Sequence, residues 1–431
     1  MLFKFAHMSD CHIGAWRDPQ LRDLNIRAFE QAIDVCISEK VSFLVISGDL
    51  FDDNIPDLTS VQRACAKMRT ARENGIAIYV IYGSHDYSAN LVSMVDVLNS
   101  AGLFTKAVEY HSDPDGQLRL KFFTDPNTGA KIAGLSGRKT ALETDYFAKL
   151  DREALRKERG FKILLFHSAI TELEPEELVY EETVPLTAIP PDFNYYAGGH
   201  VHKKMEQDVK HLGRVGYPGP LFGADFKDLE LTAAGESRGF FIITADETNV
   251  STKFVETPVC KADYHVVEAV GKTAKQLNET LLDYANTADV NGKVVLLKVR
   301  GTLSAGRPAD IDFSGIRQTL LNRGALVAQI NRYALSPPET ERISVRGEGK
   351  QEIEGKLFAE HLAKFKLDPT ISDQSVKDLV NNRLVGNGGI RTAKKLLATL
   401  KTEQKENEGK TAYESRVLDE ARRTIDLGGQ E

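Results

Sequence analysis

The sequence predicts an α/β protein, because short buried strands alternate along it with amphipathic helices. Five apolar runs are too short for helices, and most are rich in β-branched and aromatic residues, as strands buried on both faces are. They lie at residues 2–8, 41–47, 76–82, 161–166 and 194–197. Helical periodicity follows each of the first three runs, at residues 21–40, 58–73 and 90–101. By itself, this alternation favours a doubly wound sheet.

Length and composition indicate a globular protein of several domains. The 431 residues suggest about two to four folded units at ~100–200 residues each. A net charge of -7 excludes a globally basic nucleic-acid-binding surface but not a local basic stripe. The four cysteines form no C-x-x-C pair, which predicts free thiols in a reducing compartment. With no targeting or membrane-spanning segment apparent, we expect a cytoplasmic protein that does not associate with membranes.

Changes in sequence pattern divide the chain into four regions. Residues 1–257 are predicted to form the α/β domain, and residues 262–334, with β-α-β-α-β order, a small α+β domain. Residues 336–351 are polar and contain Pro337-Pro338, which indicates a linker. Residues 352–431 are predicted to be helical, with patterns at 353–365, 374–384, 392–402 and 413–425.

Each of the five predicted strands is followed directly by aspartate or histidine. These residues are Asp10 and His12, Asp49 and Asp52, His85 and Asp86, His167, and His200 and His202. Open α/β sheets bind ligands at the carboxyl ends of their strands, so the sequence directs these side chains to one place. Glycines at 48, 83, 198 and 199 permit sharp turns and close approach of the backbone there.

The residue types at the strand ends predict a centre for two metal ions. Mixed imidazole and carboxylate ligands suit borderline divalent metals such as manganese, iron and zinc. Even two of these aspartates with four of these histidines exceed the needs of one tetrahedral ion, and a carboxylate can bridge a pair of ions. Such pairs activate water and stabilise the attacking and leaving oxygens in phosphate displacement.

The motifs resemble those of the calcineurin-like metallophosphoesterase superfamily: D-x-H, G-D-x-x-D, G-N-H-[DE], a lone histidine after a strand, and G-H-x-H. The flanking residues HMSDCHIG at 7–14 and YYAGGHVHK at 195–203 resemble its DNA-break-repair nuclease branch, the SbcD-type or meiotic-recombination-eleven nucleases of archaea. The strong resemblance covers about residues 1–245. It implies an α/β (α+β) fold: a four-layer β-sandwich flanked by helices, a small α+β capping domain that contacts DNA, and a helical carboxyl-terminal tail. We adopt this fold in place of the doubly wound sheet.

The resemblance also implies roles for the clustered residues and two Mn²⁺ ions per chain. The first ion would be held by Asp10, His12, Asp49 and His202. Asp49 would bridge to the second ion, which His167 and His200 also hold. His85 would be the general acid for in-line hydrolysis of a phosphodiester.

One position departs from the family pattern. Where the family has an asparagine that ligates the second ion, this chain has Ser84. A hydroxyl is shorter and a weaker ligand, so we expect the second ion to bind less tightly or through a water. Two alternatives to a nuclease stay open: a DNA-end tether or scaffold whose metal site is impaired by Ser84, and a general calcineurin-like phosphodiesterase on the same core.

The resemblance implies macromolecular partners as well. It predicts a 3′-to-5′ exonuclease and endonuclease that acts on DNA ends as a homodimer. It also predicts docking of the helical tail onto an SbcC/Rad-fifty-type coiled-coil ATPase. Near the motifs, Asp52 and Asp86 are expected to lie beside the ligands, with Asp86 orienting His85. Arg17 and Lys203 are candidates for phosphate contacts.

Overall fold

A computed structural model describes residues 2–87, 92–137, 143–175, 183–338, 354, 356, 358–359, 386–405 and 410–425. The chain divides into two compact units, Met1–Pro338 and Glu339–Glu431. Most of the predicted linker lies outside the described residues, as does the predicted helix at 374–384. The predicted helix at 353–365 is described only at residues 354, 356, 358 and 359.

The described strands, in chain order, are β1 (Phe3–Met8), β2 (Phe43–Ser47), β3 (Ala77–Ile81), β4 (Thr105–Lys106), β5 (Tyr110–Ser112), β6 (Leu118–Leu120), β7 (Phe123–Thr124), β8 (Lys131–Leu135), β9 (Lys162–His167), β10 (Ala169–Ile170), β11 (Thr183–Val184), β12 (Tyr195–Gly199), β13 (Met205–Val209), β14 (Gly213–Tyr217), β15 (Gly239–Ala245), β16 (Val250–Glu256), β17 (Lys261–Glu268), β18 (Lys293–Thr302), β19 (Val327–Asn331) and β20 (Leu335–Ser336).

The described helices are α1 (Pro19–Ser38), α2 (Leu58–Glu73), α3 (Met94–Ser100), α4 (Glu143–Ala148), α5 (Arg152–Lys157), α6 (Phe226–Ala233), α7 (Ala274–Thr287), α8 (Phe313–Asn322), α9 (Gly386–Leu400) and α10 (Lys410–Ile425). Short 3₁₀ turns lie at Thr171–Leu173, Leu186–Ala188 and Pro308–Asp310.

Two six-stranded sheets pack face to face in the larger unit. Their strand orders are β16-β15-β1-β2-β3-β4 and β13-β14-β12-β9-β8-β7. Between them lies a buried apolar layer that includes Phe5, Phe43 and Ile81 from the first sheet and Ile163 and Tyr195 from the second. Helices α1, α2 and α3 cover the outer face of the first sheet, and α4 and α5 that of the second. The four-layer sandwich is therefore confirmed.

The doubly wound sheet that alternation favours is wrong, because the five apolar runs belong to two sheets. Strands β1, β2 and β3 pair with one another in parallel. Strands β9 and β12 pair instead with each other and with β8 and β14. A run that is apolar on both faces can be buried in either sheet, so its composition does not reveal its partner.

A smaller four-stranded sheet follows within the same compact unit. Strand β18 pairs in parallel with β17, β19 and β20, and α7 and α8 pack against this sheet through an apolar cluster of their own. The small sheet contacts the sandwich through Lys298, whose Nζ lies 2.8 Å from Glu230 Oε1 on α6. The boundaries 1–257 and 262–334 stay a prediction.

The second unit contains α9 and α10, which contact each other. The Tyr413 hydroxyl donates to the Thr402 carbonyl at 2.9 Å, and Lys401 Nζ lies 2.8 Å from Glu354 Oε1. None of the helices in the described part of the chain has the length and apolar character needed to cross a lipid bilayer.

Candidate metal centre

The carboxyl ends of β1, β2 and β3 meet those of β9 and β12 at one edge of the sandwich. Within each sheet this follows from parallel pairing. Between the sheets, His167 Nδ1 donates to the Ser47 carbonyl at 2.8 Å, and the His200 backbone N–H donates to Asp10 Oδ1 at 2.9 Å. All five strand ends therefore deliver their side chains to one place.

Strained backbone holds four of these residues. Asp10, His12, Asp49 and His200 have positive φ angles of 50°, 42°, 49° and 82°. Non-glycine residues in the left-handed region cost about 1–2 kcal/mol each and persist where the surrounding structure fixes them. Here, backbone hydrogen bonds join Asp10 to Gly48 and His12 to Asp49. Such clustered strain is typical of a functional site.

Two glycines make room for the cluster. Gly48 has a φ of +87°, and a Cβ placed on it would lie 2.3 Å from His167 Nδ1. A Cβ on Gly83 would lie 2.1 Å from Asp49 Oδ1. Any larger residue at either position would displace the imidazole or the carboxylate.

Two groups of donor atoms share Asp10. One contains Asp10, His12 and His202, the other Asp10, Asp49 and His167, and the donor atoms within each group lie within 4.8 Å of one another. Asp49 Oδ2 lies 3.1 Å from His167 Nε2 and 3.7 Å from His12 Nε2, so Asp49 reaches both groups. The His200 ring centroid lies 5.3 Å from that of His167.

The hydrogen bonds of the imidazoles leave ring nitrogens in these groups that suit a bound cation. Because a backbone carbonyl can only accept, His167 Nδ1 carries its hydrogen, and the neutral ring presents a lone pair at Nε2. That Nε2 is buried, and no described residue donates a hydrogen bond to it. His12 Nε2 and His202 Nε2 likewise face each other at 3.1 Å. Facing lone pairs need a proton or a metal ion, and nitrogen with carboxylate oxygen suits borderline divalent metals.

The acids and imidazoles of the centre shift one another's pKa values. Burial lowers the pKa of His167, but the Asp49 and Asp10 carboxylates and the Ser47 carbonyl together outweigh burial and raise that pKa to about 10. Burial and the Asp228 carboxylate oppose each other in the same way at His202 and bring its pKa to about 9. Burial raises the pKa of Asp49, but the neighbouring imidazoles outweigh it and hold that pKa well below its usual range.

We therefore expect divalent cations to bind more tightly as the pH rises from 6 to 8. His167 and His202 hold protons in this interval, and a cation must displace them. Apparent affinity should change by about tenfold per pH unit for each proton released. Calorimetric titration with Mn²⁺ in buffers of different ionisation enthalpy measures the number of protons released on binding. Binding that is independent of pH over this range would contradict the assignment.

His85 lies at the solvent side of the cluster. Its side chain is 47% exposed, its Nδ1 donates to the Asp52 carbonyl at 2.7 Å, and its backbone N–H donates to Asp49 Oδ1 at 2.8 Å. The His85 and His12 ring centroids are 4.8 Å apart. His85 Nε2 is consequently the nitrogen that can exchange a proton with a bound molecule.

Asp86 fixes the loops around His85. Its buried carboxylate accepts from the backbone N–H groups of Leu50, Phe51 and Gly83 at 3.0–3.1 Å. Burial and the Asp49 charge raise the pKa of Asp86 to about 6. Asp86 thus joins the Asp49 loop to the Gly83 loop, while the Asp52 carbonyl orients the His85 ring.

The remaining predicted residues lie beside the cluster. Ser84 is half-buried between Gly83 and His85. Asp52 is 34% exposed, and its Oδ1 lies 3.2 Å from His12 Nδ1. Arg17 is exposed and Lys203 half-buried.

Sequence reasoning missed Asp228. Its Oδ2 lies 2.8 Å from His202 Nδ1, and its burial leaves it 3% exposed. Asp228 lies on α6, 26 residues beyond His202 and outside every motif. No pattern in the sequence distinguishes it from other acids on short helices.

The fold and the acid–imidazole centre are together those expected of a metal-dependent phosphoesterase. Residues 3–204 match the family Calcineurin-like phosphoesterase. The chain therefore carries a calcineurin-like metallophosphoesterase domain.

Similarity to individual proteins is more specific. The chain is 23% identical over 406 residues to the DNA double-strand break repair protein Mre11 of Archaeoglobus fulgidus. This alignment covers 90% of this chain and 86% of that protein. The chain is 28% identical over 281 residues to the protein of the same name in Methanopyrus kandleri, with coverages of 62% and 60%. It is also 24% identical over 286 residues to the uncharacterized metallophosphoesterase YhaO of Bacillus subtilis, with coverages of 63% and 65%. The last two alignments span less than two thirds of those proteins. The predicted resemblance to the DNA-break-repair branch is confirmed.

Proposed function

We propose that the protein is a Mn²⁺-dependent nuclease that acts on DNA ends in double-strand-break repair, as a 3′-to-5′ exonuclease and an endonuclease. The observation that supports this most is the convergence of Asp10, Asp49 and His167 with the other imidazoles at one edge of the sandwich. The similarity to archaeal proteins named for double-strand break repair supports DNA as the substrate.

In this proposal the clustered side chains hold two cations. Asp10, His12, Asp49 and His202 hold the first ion; Asp49, His167 and His200, with Ser84 directly or through a water, hold the second. When bound, the ions activate water and neutralise charge that develops on the phosphate. Asp49 fixes the positions of the two sets of ligands relative to each other, and His85 gives a proton to the departing oxygen.

Cleavage of end-labelled duplex DNA tests the proposal. We expect Mn²⁺ to support shortening from the 3′ end and cutting within the strand, and a chelator to abolish both. A chromogenic phosphodiester assayed in parallel distinguishes the general phosphodiesterase. Hydrolysis of that small substrate without any cleavage of DNA would contradict the nuclease assignment.

The Ser84→Asn variant tests whether Ser84 impairs the second ion. An amide oxygen reaches further than a hydroxyl and is a stronger ligand, so we expect the variant to bind the second Mn²⁺ about tenfold more tightly, which is ~1.4 kcal/mol. Cleavage should increase at limiting Mn²⁺ and match the wild type at saturation. Ser84→Ala is the control that removes the hydroxyl.

The result at saturation separates the nuclease from the tether. A wild-type protein that binds DNA ends but never cleaves them, beside an active Ser84→Asn variant, would support the tether. Equal affinity for Mn²⁺ in the two proteins would show that Ser84 does not limit the second ion.

We further propose that the helical tail docks onto an SbcC/Rad-fifty-type ATPase. Support comes from the apolar stripe on α9, formed by Ile390, Ala393, Leu396, Leu397 and Leu400. Leu400 is 56% exposed, as is expected of a residue that a partner covers.

Deletion of residues 386–431 is expected to abolish co-purification of the ATPase and to spare metal-dependent hydrolysis. The single variant Leu400→Glu should weaken co-purification, whereas Ala398→Glu, at an exposed position away from the stripe, should not. Co-purification that survives the deletion would refute the docking site.

A further inference from the structure

One carboxylate outside the predicted site determines which nitrogen of His202 faces the cluster. An ionised carboxylate only accepts hydrogen bonds, so the 2.8 Å contact with Asp228 Oδ2 places a hydrogen on His202 Nδ1. The neutral ring then presents the lone pair of Nε2. This nitrogen lies 3.1 Å from His12 Nε2 and 3.9 Å from Asp10 Oδ1, inside the first donor group.

Backbone contacts fix the Asp228 carboxylate in place. Oδ2 also accepts from the Ala224 backbone N–H at 2.9 Å. At the start of α6, Asp225 Oδ1 accepts from the Asp228 backbone N–H at 2.8 Å. The carboxylate therefore cannot turn away from His202 without breaking a backbone hydrogen bond.

A buried arginine ties His202 to the same helix. Arg238 is 8% exposed, and its guanidinium donates to the His202 carbonyl at 2.8 Å, to the Asp228 carbonyl at 2.7 Å and to Thr232 Oγ1 at 2.8 Å. The planar fork of donors sets the distance between the His202 main chain and α6. The His202 ring is thus held by Asp228 on α6, and the His202 backbone is held to the same helix through Arg238.

We propose that Asp228 is a positioning residue that keeps His202 Nε2 directed at the first ion, with Arg238 fixing the two relative to each other. This inference rests on the proposed function, in which His202 holds that ion. Partners of this kind orient metal ligands, and their loss typically lowers metal affinity by about 10–100-fold.

The Asp228→Asn variant weakens the arrangement in either orientation of its amide. With the amide oxygen toward His202, the NH₂ group takes the place of Oδ1, which lies 3.7 Å from Arg238 Nη2, and two donors face each other. With the NH₂ group toward His202, it faces the Ala224 N–H and favours the ring form that carries hydrogen on Nε2. The second form blocks the nitrogen that would bind the ion.

Titration of the full chain with Mn²⁺ tests the inference without any measurement of cleavage. We expect Asp228→Asn to weaken one of two sites by about 10–100-fold. Electron paramagnetic resonance should show a coupled Mn²⁺ pair in the wild type and isolated Mn²⁺ in the variant. The control is Asp125→Asn, since Asp125 is also buried and its Oδ2 accepts from the backbone N–H groups of Asn127 and Thr128. It should leave both affinities unchanged.

Each outcome decides a separate point. If the wild type binds a Mn²⁺ pair and Asp228→Asn binds it equally well, the positioning role is overturned and the proposed function stands. If the wild type binds no Mn²⁺, the proposed function itself fails. Should Asp228→Asn lack the circular dichroism spectrum of a folded chain, Arg238→Lys replaces it, because lysine cannot reproduce the three contacts. Unchanged affinity in that variant would equally overturn the inference.

Discussion

Replacing His85 with alanine is expected to lower DNA cleavage by about 10²–10⁴-fold, the contribution of a positioned general acid. The Asp52 carbonyl holds His85 Nδ1 at 2.7 Å and leaves Nε2 to protonate the departing oxygen. His85 belongs to a donor group with His12 and Asp52 but to neither of the two that contain Asp10, so the variant should still bind DNA and two Mn²⁺ ions. Single-turnover kinetics measure cleavage, and separate titrations measure the binding of DNA and of Mn²⁺.

The matched control for this variant is His111→Ala, because His111 is an exposed histidine on β5. It should cleave DNA as the wild type does. A His85→Ala protein that retains full cleavage would contradict the general-acid role. A loss of cleavage accompanied by loss of Mn²⁺ would place His85 among the ligands instead.

Asp49→Asn is expected to abolish cleavage and to remove both cations at concentrations that saturate the wild type. Asp49 Oδ2 lies 3.1 Å from His167 Nε2 and 3.7 Å from His12 Nε2, so its charge serves both halves of the cluster. Its Oδ1 also accepts from the His85 backbone N–H. The neutral amide cannot supply the bridging carboxylate that two ions need.

Thermal unfolding with and without Mn²⁺ measures this loss. A ligand at 100 times its dissociation constant stabilises the folded state by about 2.7 kcal/mol, so the wild type should unfold at a higher temperature with Mn²⁺. That increase should disappear in Asp49→Asn and persist in Asp125→Asn. An undiminished increase in Asp49→Asn would contradict a bridging role.

The centre could be predicted from the sequence because its information is local. Asp10, His12, Asp49, His167 and the other proposed ligands directly follow apolar runs, and parallel strands deliver their carboxyl ends to one edge. The spacing within each motif therefore predicted where most of these side chains lie. The positive φ angles and the Ser47–His167 hydrogen bond could not be predicted, because they depend on how separate loops meet.

Information about pairing over long distances was missing from the sequence pattern. The runs at residues 2–8 and 161–166 are similar in composition but lie in different sheets, so only the family resemblance predicted the sandwich. Asp228 was missed for the same reason: its contact with His202 depends on the placement of α6. The domain boundaries, the homodimer and the cytoplasmic location stay predictions.

Anomalous scattering from Mn²⁺-soaked crystals tests the central claim most directly, because it locates the ions without reference to activity. The account predicts two peaks roughly 3.5–4 Å apart, with Asp49 between them. Asp10, His12 and His202 should surround one peak, and His167 and His200 the other. Density for those side chains with no peak among them, after soaking at saturating Mn²⁺, would contradict the account.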